Sequence, residues 1–489
     1  MYRRRCVRFH VLIHNTPAGG FCRLKGVYQM ETMANIISKM LASNKFSAVK
    51  EMLSEMNVVD IATMMEEFET EEQQVRLFRL LPKQSSADVF SYLDNEIRTN
   101  IVNAITNKEL SFLMEDMFLD DAVDFLEEVP ANVVTRVLAQ TDRDTRNLIN
   151  KFLQYPENSA GSIMTIEMVS FPETYTVQQA ISQIRATALD KETIYTCYCT
   201  DGTRKLVGTV PLRRLIVSPE DTLVKDIMYD DDQLIFVNTM DDQEEVANIA
   251  KKYDLLSIPV VDKESRLVGI ITIDDIVDVI EDENTEDFEK MASLLPSEDE
   301  YLKTGVISMF KNRILWLLVL MFLATFTSQI IEGFESKLSL VVGLTAAIPM
   351  IMGTGGNCGN QTSTLIIRGL ALGDIQIRDY FRVLWKEIRV AVLCGLVLAV
   401  ANYGRMWLTK IITGSAAENN TFIVVSIAMA CAVIVAKAIG CSLPILAKIM
   451  KLDPALMAGP MITTIVDALT LLIYFAIATL FINNGLIAG

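Results

Sequence analysis

The sequence predicts a multidomain membrane protein: an all-α superhelical N-terminal domain, an α/β domain pair, a connecting helix and a five-span α-helical transmembrane domain. Three observations predict it. Charge is divided unevenly, with 32 Lys+Arg against 53 Asp+Glu in residues 1–311 and 12 against 8 in residues 312–489. Apolar residues recur at helical spacing to about residue 155, and β-branched strands then alternate with helical patterns to about residue 285. Five apolar runs follow, 313–332, 338–358, 388–409, 422–447 and 456–484, each close to the roughly 20 residues that a bilayer core requires.

Taken in order, residues 1–33 are a basic arm. Its stretch "MYRRRCVRFHVLIHNTPAGGFCRLKG" has six bases and no acid, and His10 and His14 break the apolar part that a signal peptide needs. Disorder is expected there, or an over-long start ahead of Met30 or Met33. Residues 34–157 read as short helices, from the three-and-four spacing in "FSAVKEMLSEM" and "AVDFLEEVP", broken at Pro82 and Pro130. "VRLFRLLP" (75–82) and "VDFLEEVP" (123–130) match at a period of 48, which suggests stacked helical hairpins.

A second repeat is clearer. "KLVGTVPLRRLIV" (205–217) and "RLVGIITIDDIVD" (266–278) lie 61 residues apart, and "YTVQQAISQI" corresponds to "MDDQEEVANI" upstream. The two copies, bounded at 158–222 and 223–288, resemble a pair of cystathionine-β-synthase (CBS) domains, a regulatory module that usually binds nucleotides or ions. Cys197 and Cys199 in "CYC" alternate along a strand and are assigned to packing.

Composition excludes several classes. A net charge of −17, concentrated in the first half, opposes nucleic acid and favours cations as partners. The eight cysteines have no CxxC spacing, and both histidines lie in the basic arm. Metal chemistry must then rest on oxygen ligands, which suit magnesium, calcium or manganese. The chain has no G-x-S-x-G elbow and no phosphate loop, so an enzyme is not expected.

Loop charge orients the spans. Arg368, Arg378, Arg382 and Lys386 follow the second span, and Lys448 and Lys451 follow the fourth. Those loops belong in the cytoplasm by the positive-inside rule. The turn "EGFESK", the stretch "GSAAENN" and the C-terminus then face outward, and the acidic half is cytoplasmic. The expectation is a multi-pass protein of the cell (inner) membrane, surrounded by lipid.

Three features carry chemistry. On the fifth span Pro460, Thr463, Thr464, Asp467, Thr470 and Tyr474 form one polar stripe at helical spacing. A carboxylate at that depth costs several kcal/mol unless it meets a polar cavity, a partner or an ion. Asp467 with flanking hydroxyls suits a hydrated cation such as Mg2+, which gives up its waters reluctantly. The alternative is a buried Asp bonded to a neighbouring helix, with Lys437 the only obvious basic partner. One carboxylate cannot balance a divalent ion, so a two-fold homodimer would supply the second.

The second feature, "PMIMGTGGNCGNQTST" (349–364), is Gly- and Asn-rich backbone at membrane depth, suited to lining a cavity or to close helix packing. Asn357, Asn360 and Gln361 are the pore-mouth candidates. The third is "DDIVDVIEDENTEDFE" (274–289), a run without a base in which like charges at i,i+4 repel unless cations bind; the bland alternative is a solvated acidic face.

Together, "GTGGNCGNQ", "DPA" at Asp453, "TTIVD" ending at Asp467 and the acidic run resemble the MgtE family of magnesium channels over nearly everything from residue 35 onward. The resemblance implies a homodimer with Mg2+ as its ion, Asp467 as the shared selectivity carboxylate and Asn357 at the cytoplasmic gate. It implies intracellular Mg2+ sites at Asp120, Asp124, Asp242, Glu244, Asp254, Asp275, Asp278, Glu283, Glu286 and Asp287. It also implies a plug helix over 289–312, a membrane domain over 313–489 and a channel closed by cytoplasmic Mg2+. A transporter of Co2+, Mn2+ or Ca2+, or a membrane-anchored sensor without flux, is the alternative.

Overall fold

A computed structural model describes residues 27–484 except 69, 231–232, 298–300, 302–303, 339–340, 342 and 414–418. The chain divides into two compact units, Met1–Asp282 and Glu283–Gly489. Most of the basic arm lies outside the described residues. The first helix already begins at Val27, ahead of the expected boundary.

The first unit opens with short helices: α1 (Val27–Ala42), α2 (Phe46–Glu55), α3 (Val58–Glu66), α4 (Glu71–Phe78), α5 (Lys83–Ser91), α6 (Asn95–Ala104), α7 (Asn107–Asp116), α8 (Leu119–Glu128), α9 (Ala131–Gln140) and α10 (Arg143–Phe152). Their boundaries are set locally. Asn57 and Asp142 cap α3 and α10, and Thr106 forms a reciprocal capping box with Glu109 at α7. Alternate helices pack on one another, α1 on α3, α3 on α5, α5 on α7 and α7 on α9, as a superhelix requires. Pro82 and Pro130 each stand at the N-cap of the next helix, so the 48-residue repeat corresponds to α4–α5 and α8–α9. Phe90 packs edge-on against Phe78 and Phe125 at the core.

Two small sheets follow. The first holds β1 (Ser170–Pro172), β2 (Thr196–Thr200) and β3 (Leu206–Pro211), with α11 (Val177–Thr187) and α12 (Leu212–Val217). The second holds β4 (Val237–Asn238), β5 (Ser257–Val261) and β6 (Leu267–Thr272), with α13 (Gln243–Tyr253) and the long α14 (Ile273–Met291). In each, a parallel pair is followed by an antiparallel one. The register shifts between Cys199 and Thr200 in one and between Val260 and Val261 in the other, 61 residues on. Leu206 N–H donates to Ser265 O and Leu267 N–H to Arg204 O, the same bond in both directions across a local two-fold axis. Tyr198 and Ser257 hydrogen-bond across it at 2.7 Å.

The copies also exchange their leading segments. Thr165 bridges to Ile270 in the second sheet, and Tyr229 bridges to Thr209 in the first. This explains the glycine of each "LVG". A β-carbon on Gly269 would stand 2.7 Å from Thr165 O, and one on Gly208 would stand 3.0 Å from Tyr229 O. Residues 159–166 therefore belong structurally with the second copy. Cys197 and Cys199 are fully buried in the first sheet, as packing requires.

The second unit is helical: α15 (Val306–Leu338), α16 (Leu344–Ala371), α17 (Tyr380–Thr413), α18 (Asn419–Ile449) and α19 (Gly459–Asn483). By length and composition α15 over Val306–Phe334, α18 and α19 can cross a membrane. The central contacts are α17 with α18, α16 with α18 and α19, and α18 with α19.

Three expectations are corrected. "EGFESK" is not a turn, because α15 continues through it to Leu338. "GTGGNCGNQ" does not end a span but lies in the middle of α16, which runs on to Ala371. Nor is 289–312 one plug helix: α14 closes at Met291, no described residue from Ala292 to Gly305 is helical, and α15 opens at Val306. "GSAAENN" lies mostly outside the described residues.

Candidate ion site

Asp467 is placed by α19, and what surrounds it is decided by small residues on α16. A β-carbon on Gly356 would stand 3.0 Å from Asp467 Oδ1 and 3.4 Å from Thr463 Cγ2. One on Gly355 would meet Thr470 Cγ2 at 2.7 Å, and one on Gly359 would meet Val466 Cγ2 at 2.9 Å. The glycines thus let α19 approach the α16 backbone directly. Gly440 of α18 meets Gly359 O in the same way.

Asp467 Oδ1 is buried and has no hydrogen-bond partner among the described residues. Thr463 and Thr464 both donate their hydroxyls to Pro460 O, at 2.9 and 2.8 Å. With their protons committed to the helix, these hydroxyl oxygens present lone pairs able to accept hydrogen bonds from water, including the waters of a hydrated cation. The polar stripe itself divides. Pro460, Thr463, Thr464 and Asp467 are part-exposed, whereas Thr470 and Tyr474 are fully buried. Tyr474 OH donates to Leu344 O at 2.7 Å, so it joins helices instead of lining a path.

Lys437 is not the partner of Asp467. Its ammonium lies 3.7 Å from Glu387 Oε2 on α17 and donates to Thr362 Oγ1 at 3.1 Å, while Thr362 donates to the same Glu387 oxygen at 3.1 Å. This buried network ties α16, α17 and α18. Thr354, Asn357 and Gln361 share a face of α16, and with Lys437 and Leu393 they line an open pocket of about 610 Å³. Asn360 instead accepts from Gly459 N–H at 3.0 Å, and Ser363 donates to Met457 O, fixing the start of α19. Of the pore-mouth candidates, then, Asn357 and Gln361 face a cavity and Asn360 is a structural clamp.

The entry to α19 is built around "DPA". Asp453 caps the turn Pro454–Met457 by accepting from Ala455 N–H at 2.8 Å. Its other oxygen receives Lys290 Nζ at 2.7 Å, and Lys290 also reaches Glu286 Oε1 at 2.7 Å. Against the cost of desolvation, these bonds to Asp453 and Glu286 hold Lys290 above the usual lysine range. Burial pushes the neighbouring Asp287 carboxyl up, and the Asp453 charge adds to that.

The remaining acids are spread over α8, α13 and α14. Asp120 and Asp124 are buried on α8, and Asp242 caps α13 by accepting from Glu244 N–H at 2.9 Å. Asp254 closes that helix in the left-handed region at φ 52°. Asp275 is buried and accepts from Thr272 Oγ1 at 2.9 Å, while Asp278, Glu283, Glu286 and Asp287 follow along α14. Among the described residues no three His, Cys, Asp or Glu side chains converge on one point.

Three residues escaped sequence reasoning. Glu387 stands among the bases of the second-to-third connection, and Lys290 is the first base after the acidic run; both signals were present. Glu167 carried none. Burial pushes its carboxyl up, the Thr165 hydrogen bond opposes this, and the charge of Asp120 reinforces it.

A helical bundle with a carboxylate on its packed face, joined to an acidic helical domain and a duplicated α/β module, is the architecture of a cation transporter with attached helical and α/β domains. Family models agree: residues 348–477 match the divalent cation transporter model, 56–158 the MgtE intracellular N domain and 224–282 the CBS domain. The chain is 36% identical over 459 residues to the magnesium transporter MgtE of Thermus thermophilus, covering 93% of this chain and 99% of that protein. It is 31% identical over 447 residues to that of Bacillus subtilis, covering 91% and 96%. The crystal structure of the cytosolic domain of the Mg2+ channel MgtE in complex with ATP is 35% identical, with a TM-score of 0.47, covering 50% of this chain and 99% of that one. The chain belongs to the MgtE family.

Proposed function

We propose that this protein is a Mg2+-selective channel for magnesium uptake, closed by cytoplasmic Mg2+ bound between its acidic N-terminal and CBS domains. The observation that carries the reading is the buried, unpartnered Oδ1 of Asp467 beside the part-exposed hydroxyls of Thr463 and Thr464. An unpaired carboxylate oxygen at membrane depth is costly and is relieved by a cation. The relatives named magnesium transporters support Mg2+ as that cation.

In this reading two subunits each supply Asp467, five helices span the bilayer, and Asn357 lies at the cytoplasmic gate. The soluble domains are cytoplasmic and the C-terminus is external. Asp120, Asp124, Asp242, Glu244, Asp254, Asp275, Asp278, Glu283, Glu286 and Asp287 form the sensor. At high cytoplasmic Mg2+, ions bridge opposing carboxylates and hold the closed state; at low Mg2+ the bare acids repel and the pore opens. The ion closes the channel only if it binds the closed state more tightly than the open one.

The test is Mg2+ flux into liposomes holding the full chain, with Mg2+ on the cytoplasmic face varied and Asp467→Ala compared. Flux that falls with cytoplasmic Mg2+ and is lost in the variant supports both halves of the reading. Flux unchanged by Asp467→Ala removes the carboxylate from the path. Larger flux of Co2+, Mn2+ or Ca2+ reassigns the ion.

A further inference from the structure

The acidic run from Leu267 to Glu289 contains no base, and it ends on Lys290. That single ammonium is held between two carboxylates, Glu286 one helical turn back on α14 and Asp453 in the turn that opens α19, each at 2.7 Å. Without it two carboxylates would face each other across the space of one cation, a repulsive arrangement at any protein dielectric. The backbone is equally close here. Gly459, the first residue of α19, adopts φ 50°, and a β-carbon on it would strike Met291 O. The end of α14 is therefore seated on the N-terminal end of the helix that carries Asp467, eight residues into α19.

We propose that Lys290 is a tethered counter-cation and a positioning residue for gating: its ammonium clamps α14 to the Asp453 turn and supplies a share of closure that needs no free ion. The inference deepens the channel reading and rests on it for its consequence in flux. A clamp of this kind sets the floor of the gate. Free Mg2+ then adds to a share of closure that the chain itself supplies, so the channel conducts less at zero cytoplasmic Mg2+ than its bare acids alone would allow. The ammonium is compact and keeps its charge throughout the physiological range, which suits it to stand permanently between two carboxylates.

A double-mutant cycle on the full chain in liposomes tests this, with flux read at zero cytoplasmic Mg2+ for Lys290→Met, Asp453→Asn, the double variant and Lys290→Arg. Each single neutralisation is expected to raise that flux at least threefold. The double variant should lie within about twofold of either single one, because both remove the same contact. Lys290→Arg should stay within about twofold of the parent chain, which loss of packing alone would not produce. Wild-type flux in Lys290→Met, or a double variant equal to the product of the singles, overturns the proposal. The same cycle on the thermal midpoint in detergent reads the clamp without flux. Single losses of roughly 2 °C that fail to add support it, and additive losses overturn it, even should the wild type carry no Mg2+ and the channel reading itself fall.

Discussion

Gly356 of α16 and Asp467 of α19 face each other so closely that a single methyl group on the glycine would stand 3.0 Å from the carboxylate oxygen. Gly356→Ala must therefore push the carboxylate aside or part the two helices. Overpacking of this kind typically costs about 1–3 kcal/mol. Mg2+ flux is expected to fall at least tenfold while the protein still assembles, as judged by its elution in detergent. Undiminished flux would mean that the position of Asp467 is not critical for conduction.

The Glu387–Lys437 pair predicts an asymmetry. Removing one partner leaves an uncompensated charge in a buried network, at a cost of about 3–5 kcal/mol, whereas replacing both with apolar residues is close to neutral. Lys437→Met and Glu387→Gln alone should each lower the thermal midpoint in detergent, and Lys437→Met with Glu387→Met should restore most of it. Additive losses would show that the two charges act separately.

Gly459 combines a left-handed backbone with direct approach to Met291 O. Gly459→Ala meets about 1–2 kcal/mol of backbone strain, and the carbonyl must also move. The expected result is a lower thermal midpoint together with weaker closure by cytoplasmic Mg2+. Gly353→Ala is the control, because a β-carbon there meets nothing within 4 Å.

Burial pushes the Cys197 thiol up to about 12 and Cys199 higher still. In the unfolded chain both ionise near the usual ~8.5, so above that pH the native state holds more protons than the unfolded one. Their contribution to stability is complete below about pH 8.5 and is lost as pH rises towards about 12. Alkylation at pH 8.5, read by mass spectrometry, should leave both cysteines unmodified in the folded chain and label both in denaturant. Rapid labelling in the folded chain would contradict the burial.

The repeats and the long apolar helices were legible because each writes a local pattern: a 61-residue period and apolar runs. The division of "GTGGNCGNQ" into packing glycines, a clamp at Asn360 and a cavity face at Asn357 was not. That choice depends on the rotation of α16 against three neighbours, which periodicity within one helix cannot fix. The partnership of Lys437 was hidden for the same reason, since Glu387 lies 50 positions away. The helical path through "EGFESK" shows tertiary context overriding a turn-like composition.

The exchange of leading segments between the two α/β copies also says something about descent. Thr165 adds a one-residue bridge to the edge of the later copy's sheet and Tyr229 one to that of the earlier copy, so each half borrows an edge contact from the other. An ancestor carrying one copy could have gained that edge contact only from a second molecule. Fusion of two such genes would have turned a partnership between molecules into one within a chain. The shared register shift and the paired left-handed residues Arg204 and Ser265, 61 positions apart, read as relics of that earlier symmetric dimer.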